Sequence, residues 1–250
     1  MKKNEKMTPN ERIKRAQRKE KIEKLKKASP LLLIAVGGLT AFIMTTISMN
    51  QSGAHNNVEK NTPKSGEEMK VGEFVEGKHF YKLAEPIEKY QATREREVTE
   101  FFWYGCPHCY AFEPFLKEWE EEQPSNVVLE REHPAFGSNW VVHAKTFYAL
   151  EEMGLEDKYH DTIMDSIHNN RSRYGSLEGI SSLIDESERD VFIETFNAMD
   201  QKVTEANLMA REIGIQGVPS IMIDGKYITS PAYAGTHEKT IELINLLKRK

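Results

Sequence analysis

Residues 100–114 read Glu-Phe-Phe-Trp-Tyr-Gly-Cys-Pro-His-Cys-Tyr-Ala-Phe-Glu-Pro, which predicts a strand, a turn and the beginning of a helix. The apolar, aromatic start of this segment is typical of a buried strand, and Gly105 provides the turn. Cys106 then stands where the helix begins, and Cys109 follows one turn later; the 250-residue chain has only these 2 cysteines. At i and i+3 they share one helix face, close enough for their sulfurs to bond.

The position of Cys106 at a helix N-terminus favours its ionised form. The first helical turn has N–H groups without intrahelical partners and carries the positive end of the helix dipole, and both favour a thiolate over a thiol. Pro107 suits this turn because the N–H that proline lacks would have had no partner there. The sequence therefore predicts that Cys106 is the nucleophile and that Cys109 is the resolving cysteine.

Three other uses of a Cys-x-x-Cys pair fit this chain less well. A zinc site usually needs four ligands, and the sequence has no second cysteine pair. Haem attachment requires a histidine directly after the second cysteine, where this chain has Tyr110. A purely structural disulfide would close so short a loop that it would constrain the unfolded chain little. The strand-to-helix context favours a redox pair.

Charge is distributed unevenly along the chain, whose net charge is −5. Residues 1–27 contain 12 Lys and Arg against 4 Asp and Glu, and residues 28–58 contain none of these four types. The remainder carries 22 basic and 35 acidic residues. Surfaces that bind nucleic acid are basic, so this acidic body argues against a nucleic-acid partner.

Residues 31–49 form an apolar run directly after the basic segment. As a helix, this run would be about 29 Å long, close to the ~30 Å hydrocarbon core of a bilayer. Basic residues that precede a span stay in the cytoplasm, so we expect a single-pass anchor with the rest of the chain on the far side of the membrane. The alternative is a cleaved signal peptide, for which Ser52-Gly53-Ala54 offers small residues.

The patterns after the apolar run predict an α/β domain that is interrupted by helices. Strands are expected at residues 79–83, 98–103 and 127–132, and the helix that starts at Cys106 should reach about residue 123. Helical periods fill residues 139–205. The α/β pattern then resumes with a helix that ends at Gly214, a strand at 220–223, a hairpin turn at Asp224-Gly225, a returning strand at 226–228 and a closing helix at 237–248.

This order of elements is that of a thioredoxin fold, and over roughly residues 74–246 the chain resembles the DsbA family of exported thiol oxidases. The resemblance is carried by six motifs: Glu76-Gly77-Lys78, Glu100-Phe101-Phe102, Cys106-Pro107-His108-Cys109-Tyr110, Phe112-Glu113, Gly217-Val218-Pro219 and Gly225-Lys226-Tyr227. It implies an α/β thioredoxin-like fold with an inserted α-helical subdomain. We therefore expect a basic segment (1–29), a transmembrane anchor or signal (30–50), a linker (51–70), a thioredoxin-like domain (71–138 and 206–250) and the inserted subdomain (139–205).

Within the Cys106-Pro107-His108-Cys109 motif, the resemblance assigns roles to individual residues. Cys106 would be the exposed, attacking sulfur and Cys109 the buried one. His108 would stabilise the Cys106 thiolate by hydrogen bonding or charge and would border the substrate. The alternative for His108 is a solvated surface side chain without such a role.

Outside the motif, the resemblance points to the Val218-Pro219 loop and to Glu100. Pro219 matches a cis-proline that lies against the active-site disulfide, and the backbone of Val218 would pair with an extended substrate. Glu100 matches a buried acid that relays a proton when Cys109 is deprotonated, although a strand-edge glutamate facing solvent is an equal alternative. Its basic partner stays open between Arg131 and His133.

The predicted function is that of an exported protein thiol:disulfide oxidoreductase that acts as an oxidant. Together with the anchor, the resemblance implies a single-pass protein of the bacterial inner membrane whose catalytic domain lies on the periplasmic side. The expected clients are folding exported proteins with free thiols, and the expected reoxidant is a quinone-linked membrane oxidase of the DsbB type. We expect a monomer that uses no metal and no cofactor apart from its own disulfide. Trp103, Tyr104 and Tyr110 would either receive unfolded client segments or belong to the core. The alternatives are a reductase or isomerase of the same fold and a non-catalytic metal-binding or chaperone-like module.

Overall fold

The fold is built on a five-stranded mixed sheet. The computed structural model describes residues 69–87, 96–171 and 173–248. A short ribbon of β1 (Lys70–Val71) and β2 (Phe74–Val75) precedes the sheet, whose strands are β3 (Phe80–Lys82), β4 (Arg96–Phe101), β5 (Val127–Glu132), β6 (Ser220–Ile223) and β7 (Tyr227–Thr229). Their spatial order is β3-β7-β6-β4-β5, with β4 and β5 parallel and the other neighbours antiparallel.

Helices cover the sheet and occupy most of the chain between β5 and β6. They are α1 (Pro107–Glu121), α2 (Val141–Met153), α3 (Glu156–Asn169), α4 (Leu177–Ser181), α5 (Glu186–Asn197), α6 (Asp200–Glu212), α7 (Pro231–Ala234) and α8 (His237–Leu247). A 3-10 turn at Ser138–Trp140 leads into α2. The thioredoxin-like fold with a helical insertion is therefore confirmed.

Strand β4 lies second from the edge of the sheet, and its two faces meet different helices. Alternate side chains of a strand point to opposite faces. Val98 packs in an apolar cluster with residues of α1 and α8, whereas Phe101 packs with Ala210 of α6 on the other face. Glu100 has the same parity as Val98, so its carboxyl group points to the face that α1 covers.

The inserted helices form one apolar cluster with the residues around the cysteines. Phe102, Tyr104, Cys106 and Cys109 belong to the same buried cluster as side chains of α2, α3 and α5. The cysteine pair therefore lies where the helical insertion meets the sheet.

Several predicted boundaries move by one to several residues. Strands 127–132 and 220–223 have the predicted bounds, but β4 ends at Phe101 because the chain turns at Tyr104 and Gly105 to begin α1. The strand expected at 79–83 is Phe80–Lys82, and the returning strand is Tyr227–Thr229. The helix expected around 207–213 begins at Asp200, because Val203 and Ala206 already pack against the helical cluster.

The predicted basic segment (1–29), the apolar segment (30–50) and the linker up to residue 68 lie outside the described residues. The last residue assigned to the linker, Lys70, begins β1, where it pairs with Val75. No helix among the described residues has both the length and the apolar character that a membrane span requires.

Gly214 ends α6 in a left-handed conformation, as predicted. Its φ is 77°, its N–H donates to the carbonyl of Arg211 at 3.1 Å, and the next N–H, of Ile215, donates to the carbonyl of Ala210 at 2.8 Å. These two bonds are those of a Schellman motif, which satisfies helix-end carbonyls. The turn between β6 and β7 likewise has both Asp224 and Gly225 at positive φ.

Replacing Gly214 with alanine should lower the free energy of unfolding by about 1 kcal/mol, because a Cβ disfavours the left-handed conformation. An alanine Cβ would meet no atom within 4 Å there, so backbone strain alone should account for the loss. Gly217→Ala is the matched control, since Gly217 is not at positive φ and its site is equally open. Urea unfolding of both variants tests this, and equal losses would contradict it.

Candidate active site

Cys106 is the N-cap residue of α1, and Cys109 lies in its first turn. Cys106 has extended backbone angles (φ −86°, ψ 116°), and Pro107 follows as the first helical residue. The backbone N–H of Cys109 donates to the Cys106 sulfur at 3.4 Å. Both cysteines are free thiols, and Cys106 is 6% exposed whereas Cys109 is fully buried. Only the first sulfur can therefore be reached from solvent.

The two thiols differ in pKa. The largest influence on the pKa of Cys106 is the hydrogen bond that its sulfur accepts from the Cys109 thiol. The backbone N–H groups of Cys109 and His108 act in the same direction. Together they outweigh burial and lower the pKa of Cys106 to about 6. Burial, then the hydrogen bond to Cys106 and the charge of Glu100, raise the pKa of Cys109 well above its usual value. The negative charge thus belongs on Cys106 and the proton on Cys109.

His108 is exposed, directly beside Cys106. Its backbone N–H and its charge both lower the pKa of Cys106, but each does so less than the Cys109 thiol. The role that the resemblance implies for the imidazole stays a prediction, and the structure adds a stronger donor that sequence reasoning did not identify.

The Val218-Pro219 loop lies against Cys106. The Cys106 sulfur is 3.5 Å from the carbonyl oxygen of Val218. The Val218–Pro219 peptide bond is cis, as the resemblance implied. Pro219 is buried and Val218 is half-buried, so this loop forms one wall of the site beside the sulfur.

Side chains of the inserted segment hold the turn that precedes Cys106. The Trp103 indole stacks on Trp140 with ring centroids 4.3 Å apart, and its N–H donates to His143 at 2.9 Å. It also lies over Gly105, where an added Cβ would come within 2.5 Å of the indole. Arg171 donates to the carbonyl of Gly105 at 2.7 Å. These contacts fix the turn that precedes Cys106.

Of the three aromatic residues expected around the motif, only two reach the surface. Tyr110 is 39% exposed and stacks on His168, with ring centroids 4.4 Å apart. Trp103 is half-buried, and Tyr104 is fully buried. Tyr104 is therefore part of the core, while Trp103 and Tyr110 are placed where a client chain can touch them.

Glu100 is fully buried, which excludes the alternative of a solvent-facing strand residue. The β4–β5 register places Glu100 directly beside Arg131, and the guanidinium Nε is 3.3 Å from a Glu100 oxygen. His133 has a different task, since its Nε2 accepts the backbone N–H of Tyr104 at 3.2 Å. Arg131 is therefore the basic partner that the sequence left open.

Arg131 also contacts two further acids, which sequence reasoning missed. Its Nη2 is 2.9 Å from Glu113 on α1, and its Nη1 is 3.9 Å from Glu156 on α3. His160, one turn after Glu156, lies against both of these acids. We call Glu100, Glu113, Arg131, Glu156 and His160 the buried charge cluster.

Burial is the largest influence on Glu100, and with the repulsion of Glu113 it raises the pKa of Glu100 to about 8 despite the opposing charges of Arg131 and His160. Burial also disfavours the ionised form of Glu113, but Arg131 and His160 outweigh it and lower the pKa of Glu113 to about 2. Two carboxyl groups of one cluster therefore differ in charge near neutral pH.

The positions of Glu113, Glu156 and His160 in the sequence already indicated a buried polar site. Glu113 is four residues after Cys109, so it shares the face of α1 that carries the buried sulfur. Glu156 and His160 precede Ile163 and Ile167 at helical spacing, so they interrupt the apolar stripe of α3 on its buried face. A charged pair on an apolar stripe indicates a buried polar site, although its partners cannot be read from one helix.

Glu113, His160 and Asp161 offer oxygen and nitrogen atoms within 4.8 Å of one another, as a metal site would. The protein itself neutralises this group, since Arg131 pairs with Glu113 and Lys117 pairs with Asp161. The arrangement is that of an ion-pair cluster.

The sheet, the N-cap cysteine and the adjacent cis-proline together define a thioredoxin-like thiol:disulfide exchange protein. A protein-family model described as thioredoxin matches residues 94–242. The chain is 33% identical to the thiol:disulfide interchange protein DsbA of Pseudomonas aeruginosa over 182 residues, which are 71% of this chain and 86% of that protein. The chain belongs to the DsbA family.

Other comparisons agree with this assignment. The DsbA of Burkholderia cepacia is 29% identical over 178 residues, which are 70% of this chain and 84% of that protein. The crystal structure of Pseudomonas aeruginosa DsbA has a TM-score of 0.64 at 32% identity, covering 70% of this chain and 93% of that one. The chain is therefore a thiol:disulfide oxidoreductase that oxidises its substrates through its own redox-active cysteines, without a cofactor. The reductase or isomerase alternative is not favoured.

The predicted localisation as a single-pass protein of the inner membrane is wrong. The DsbA homologues that the chain matches are soluble periplasmic proteins. The prediction depended on the apolar length and basic flank of residues 31–49, which lie outside the described residues. Length and flanking charge alone do not separate an anchor from an export signal, so they were weak grounds for the choice.

The Cys106 thiolate should titrate with a midpoint near pH 6 in the reduced protein. Cys109→Ala removes the strongest hydrogen-bond donor and should raise this pKa by about one unit. His108→Ala should raise it less. Thiolate absorbance in the ultraviolet, followed against pH, measures each midpoint. A larger effect of His108→Ala than of Cys109→Ala would contradict this ranking.

Arg131→Gln should lower the free energy of unfolding by about 3–5 kcal/mol, because it leaves buried carboxyl groups without their counter-charge. The loss should shrink as the pH falls, since protonated carboxyl groups no longer need that charge. Lys117→Gln is the control: its pair with Asp161 is exposed and should contribute about 0–1 kcal/mol. Chemical denaturation at pH 5 and pH 8 provides both values, and similar losses for the two variants would refute the expectation.

Proposed function

We propose that Cys106 is the sulfur that client proteins attack and that Cys109 is the leaving group. A client thiolate bonds to the Cys106 sulfur, the Cys106–Cys109 bond breaks, and Cys109 leaves with the electron pair as a thiolate. A second client thiolate then attacks the client sulfur of this mixed disulfide and releases Cys106 as a thiolate. The client loses two electrons and the cysteine pair gains them. Cys106 keeps 6% of its surface accessible whereas Cys109 has none, and this difference supports the order of attack.

The unequal proton affinities of the two cysteines support the oxidising direction. A Cys106 thiolate that is stable near neutral pH favours the reduced pair over the disulfide, which makes the disulfide a stronger oxidant. The position of Cys106 at the N-cap of α1, where its sulfur accepts the Cys109 N–H at 3.4 Å and its pKa is lowered to about 6, is the single observation that carries this proposal.

Glu100 would supply the proton that Cys109 needs when it leaves. Its pKa, raised by burial to about 8, keeps a proton on the carboxyl group near neutral pH. The charge of Glu100 also raises the pKa of Cys109, which places the two groups within electrostatic reach. Transfer of this proton to the Cys109 sulfur would leave a carboxylate beside Arg131.

Val218, Pro219 and His108 would form the substrate-binding edge, with Pro107 fixing the first turn of α1 between the two cysteines. Val218 is half-buried next to the Cys106 sulfur and His108 is exposed two residues after Cys106, so an extended client segment that reaches the sulfur would contact both. Backbone pairing gives affinity for many sequences, as an oxidase with varied clients requires.

The proposed clients are exported proteins with free thiols, and the proposed reoxidant is a quinone-linked oxidase of the DsbB type. DsbB is the usual reoxidant of DsbA proteins. We further propose that the protein acts as a monomer, with residues 71–138 and 206–250 as the catalytic domain and 139–205 as the inserted subdomain.

Cys106→Ser should abolish oxidation of a reduced client protein, because the oxidising disulfide can no longer form. Cys109→Ser should instead trap a mixed disulfide with a client that carries its own disulfide, because the Cys106 thiolate attacks that bond and no second protein thiol is present to break the product. Non-reducing electrophoresis, with a reduced model client for the first variant and a disulfide-bonded one for the second, separates these outcomes. In the wild-type protein, equilibration with glutathione should give a potential well above the about −270 mV of thioredoxin. A potential near that of thioredoxin, or a Cys106→Ser variant that still oxidises clients, would rule out the proposal.

A further inference from the structure

His160 connects the inserted helices to the acids beneath Cys109. It lies on α3 and is 3% exposed. Its Nδ1 is 3.1 Å from a Glu156 oxygen, and its Nε2 is 3.5 Å from a Glu113 oxygen. Its ring packs against Phe102 and Tyr104, with centroids 5.4 and 5.2 Å away. Both ring nitrogens therefore face carboxyl groups in an enclosed site.

This geometry requires a charged ring. An ionised carboxylate only accepts hydrogen bonds, so a ring nitrogen that faces one must carry a proton. A neutral imidazole has one such proton and an imidazolium has two. The Nε2 atom lies 3.5 Å from Glu113 outside hydrogen-bond geometry, so this contact is electrostatic, and only an imidazolium attracts the carboxyl groups on both sides of the ring.

The charges of the cluster then balance in one protonation state. If Arg131 and His160 are both positive, charge balance requires two negative carboxyl groups, and Glu113 and Glu156 are the two that face His160. A net buried charge is costly, so the third acid, Glu100, is neutral in the resting cluster.

We propose that His160 is a positioning residue for disulfide exchange: its imidazolium holds Glu113 and Glu156 as carboxylates and so leaves Glu100 as the acid that gains and loses a proton beneath Cys109. This inference rests on the role proposed above for Glu100. When Cys109 leaves as a thiolate, Glu100 gives its proton to the Cys109 sulfur and becomes a carboxylate. His160 and Arg131 then lower the cost of that new negative charge.

The other groups around His160 agree with this assignment. Burial and Arg131 act against its charge, but the carboxyl groups of Glu113 and Glu156 outweigh them and raise the pKa of His160 to about 9. The Tyr104 hydroxyl is 3.4 Å from Nδ1, and its own pKa is raised, so it stays neutral. Burial lowers the pKa of His133, the residue that follows β5, so its ring is uncharged. Asp161, the next residue on α3, is exposed and paired with Lys117.

The titration of Glu100 in the reduced protein tests the inference without any client. Carbon-13 NMR of labelled glutamate side chains follows it, with Glu100→Gln identifying the signal. His160→Gln removes a positive charge and should raise the midpoint by about one pH unit, a tenfold change in proton affinity. Glu113→Gln removes a negative charge and should lower the midpoint. The double variant should return it close to the wild-type value, because the cluster is again balanced.

His168→Gln is the matched control, because His168 lies on the same helix but contacts the Tyr104 carbonyl rather than a carboxyl group of the cluster. It should leave the Glu100 midpoint unchanged. If both single variants leave the midpoint in place, or if their effects do not cancel in the double variant, His160 does not act through Glu100.

One measurement requires no variant and covers the case in which His160→Gln does not fold. Nitrogen-15 NMR of the wild-type histidine rings at pH 7 should find both His160 nitrogens protonated, and a neutral ring would overturn the inference. A protein that titrates as expected but does not oxidise thiols would instead contradict the proposed function alone.

Discussion

The hydrogen bond from the Cys109 thiol to the Cys106 sulfur is the interaction on which the chemistry of this protein depends. It exists because Cys106 caps α1 from an extended conformation while Cys109 lies one turn inside the helix, buried against the inserted helices. Burial disfavours the thiolate form of Cys109, whereas the helix N-terminus stabilises the thiolate form of Cys106. The same few residues therefore decide which sulfur is attacked and which direction of exchange is favoured.

The buried charge cluster lies behind the two cysteines and connects them to the interior of the protein. Its members come from β4, β5, α1 and α3, so it joins the sheet to the insertion. Burying ions usually costs more free energy than their attraction returns, and apolar side chains of similar size would serve stability as well or better. We therefore attribute the cluster to the handling of protons beside Cys109. It makes the helical insertion part of the redox site.

The sequence predicted the fold class and the centre of the site from strong local signals. The strand-to-helix motif at Cys106, the hairpin turn at Asp224-Gly225 and the cap at Gly214 each depend on residues close in the chain, and the structure has all three. Glu156 and His160 were missed because their partners are distant in sequence, on α1 and β5. The choice of Arg131 over His133 likewise depended on the register of β5 against β4, which sets the neighbour of Glu100. Pairing across a sheet cannot be read from one strand.

The close approach of the Trp103 indole to Gly105 has a consequence for how this active site can vary. The indole occupies the space that a side chain at position 105 would need, at a separation of 2.5 Å from an added Cβ. The side chains at positions 103 and 105 therefore compete for the same space. A bulky residue at position 105 requires a small one at position 103, and a side chain added at 105 alone would displace the Trp103 indole. Related chains that carry a side chain at position 105 should therefore carry a smaller residue at position 103, so the two positions should change together.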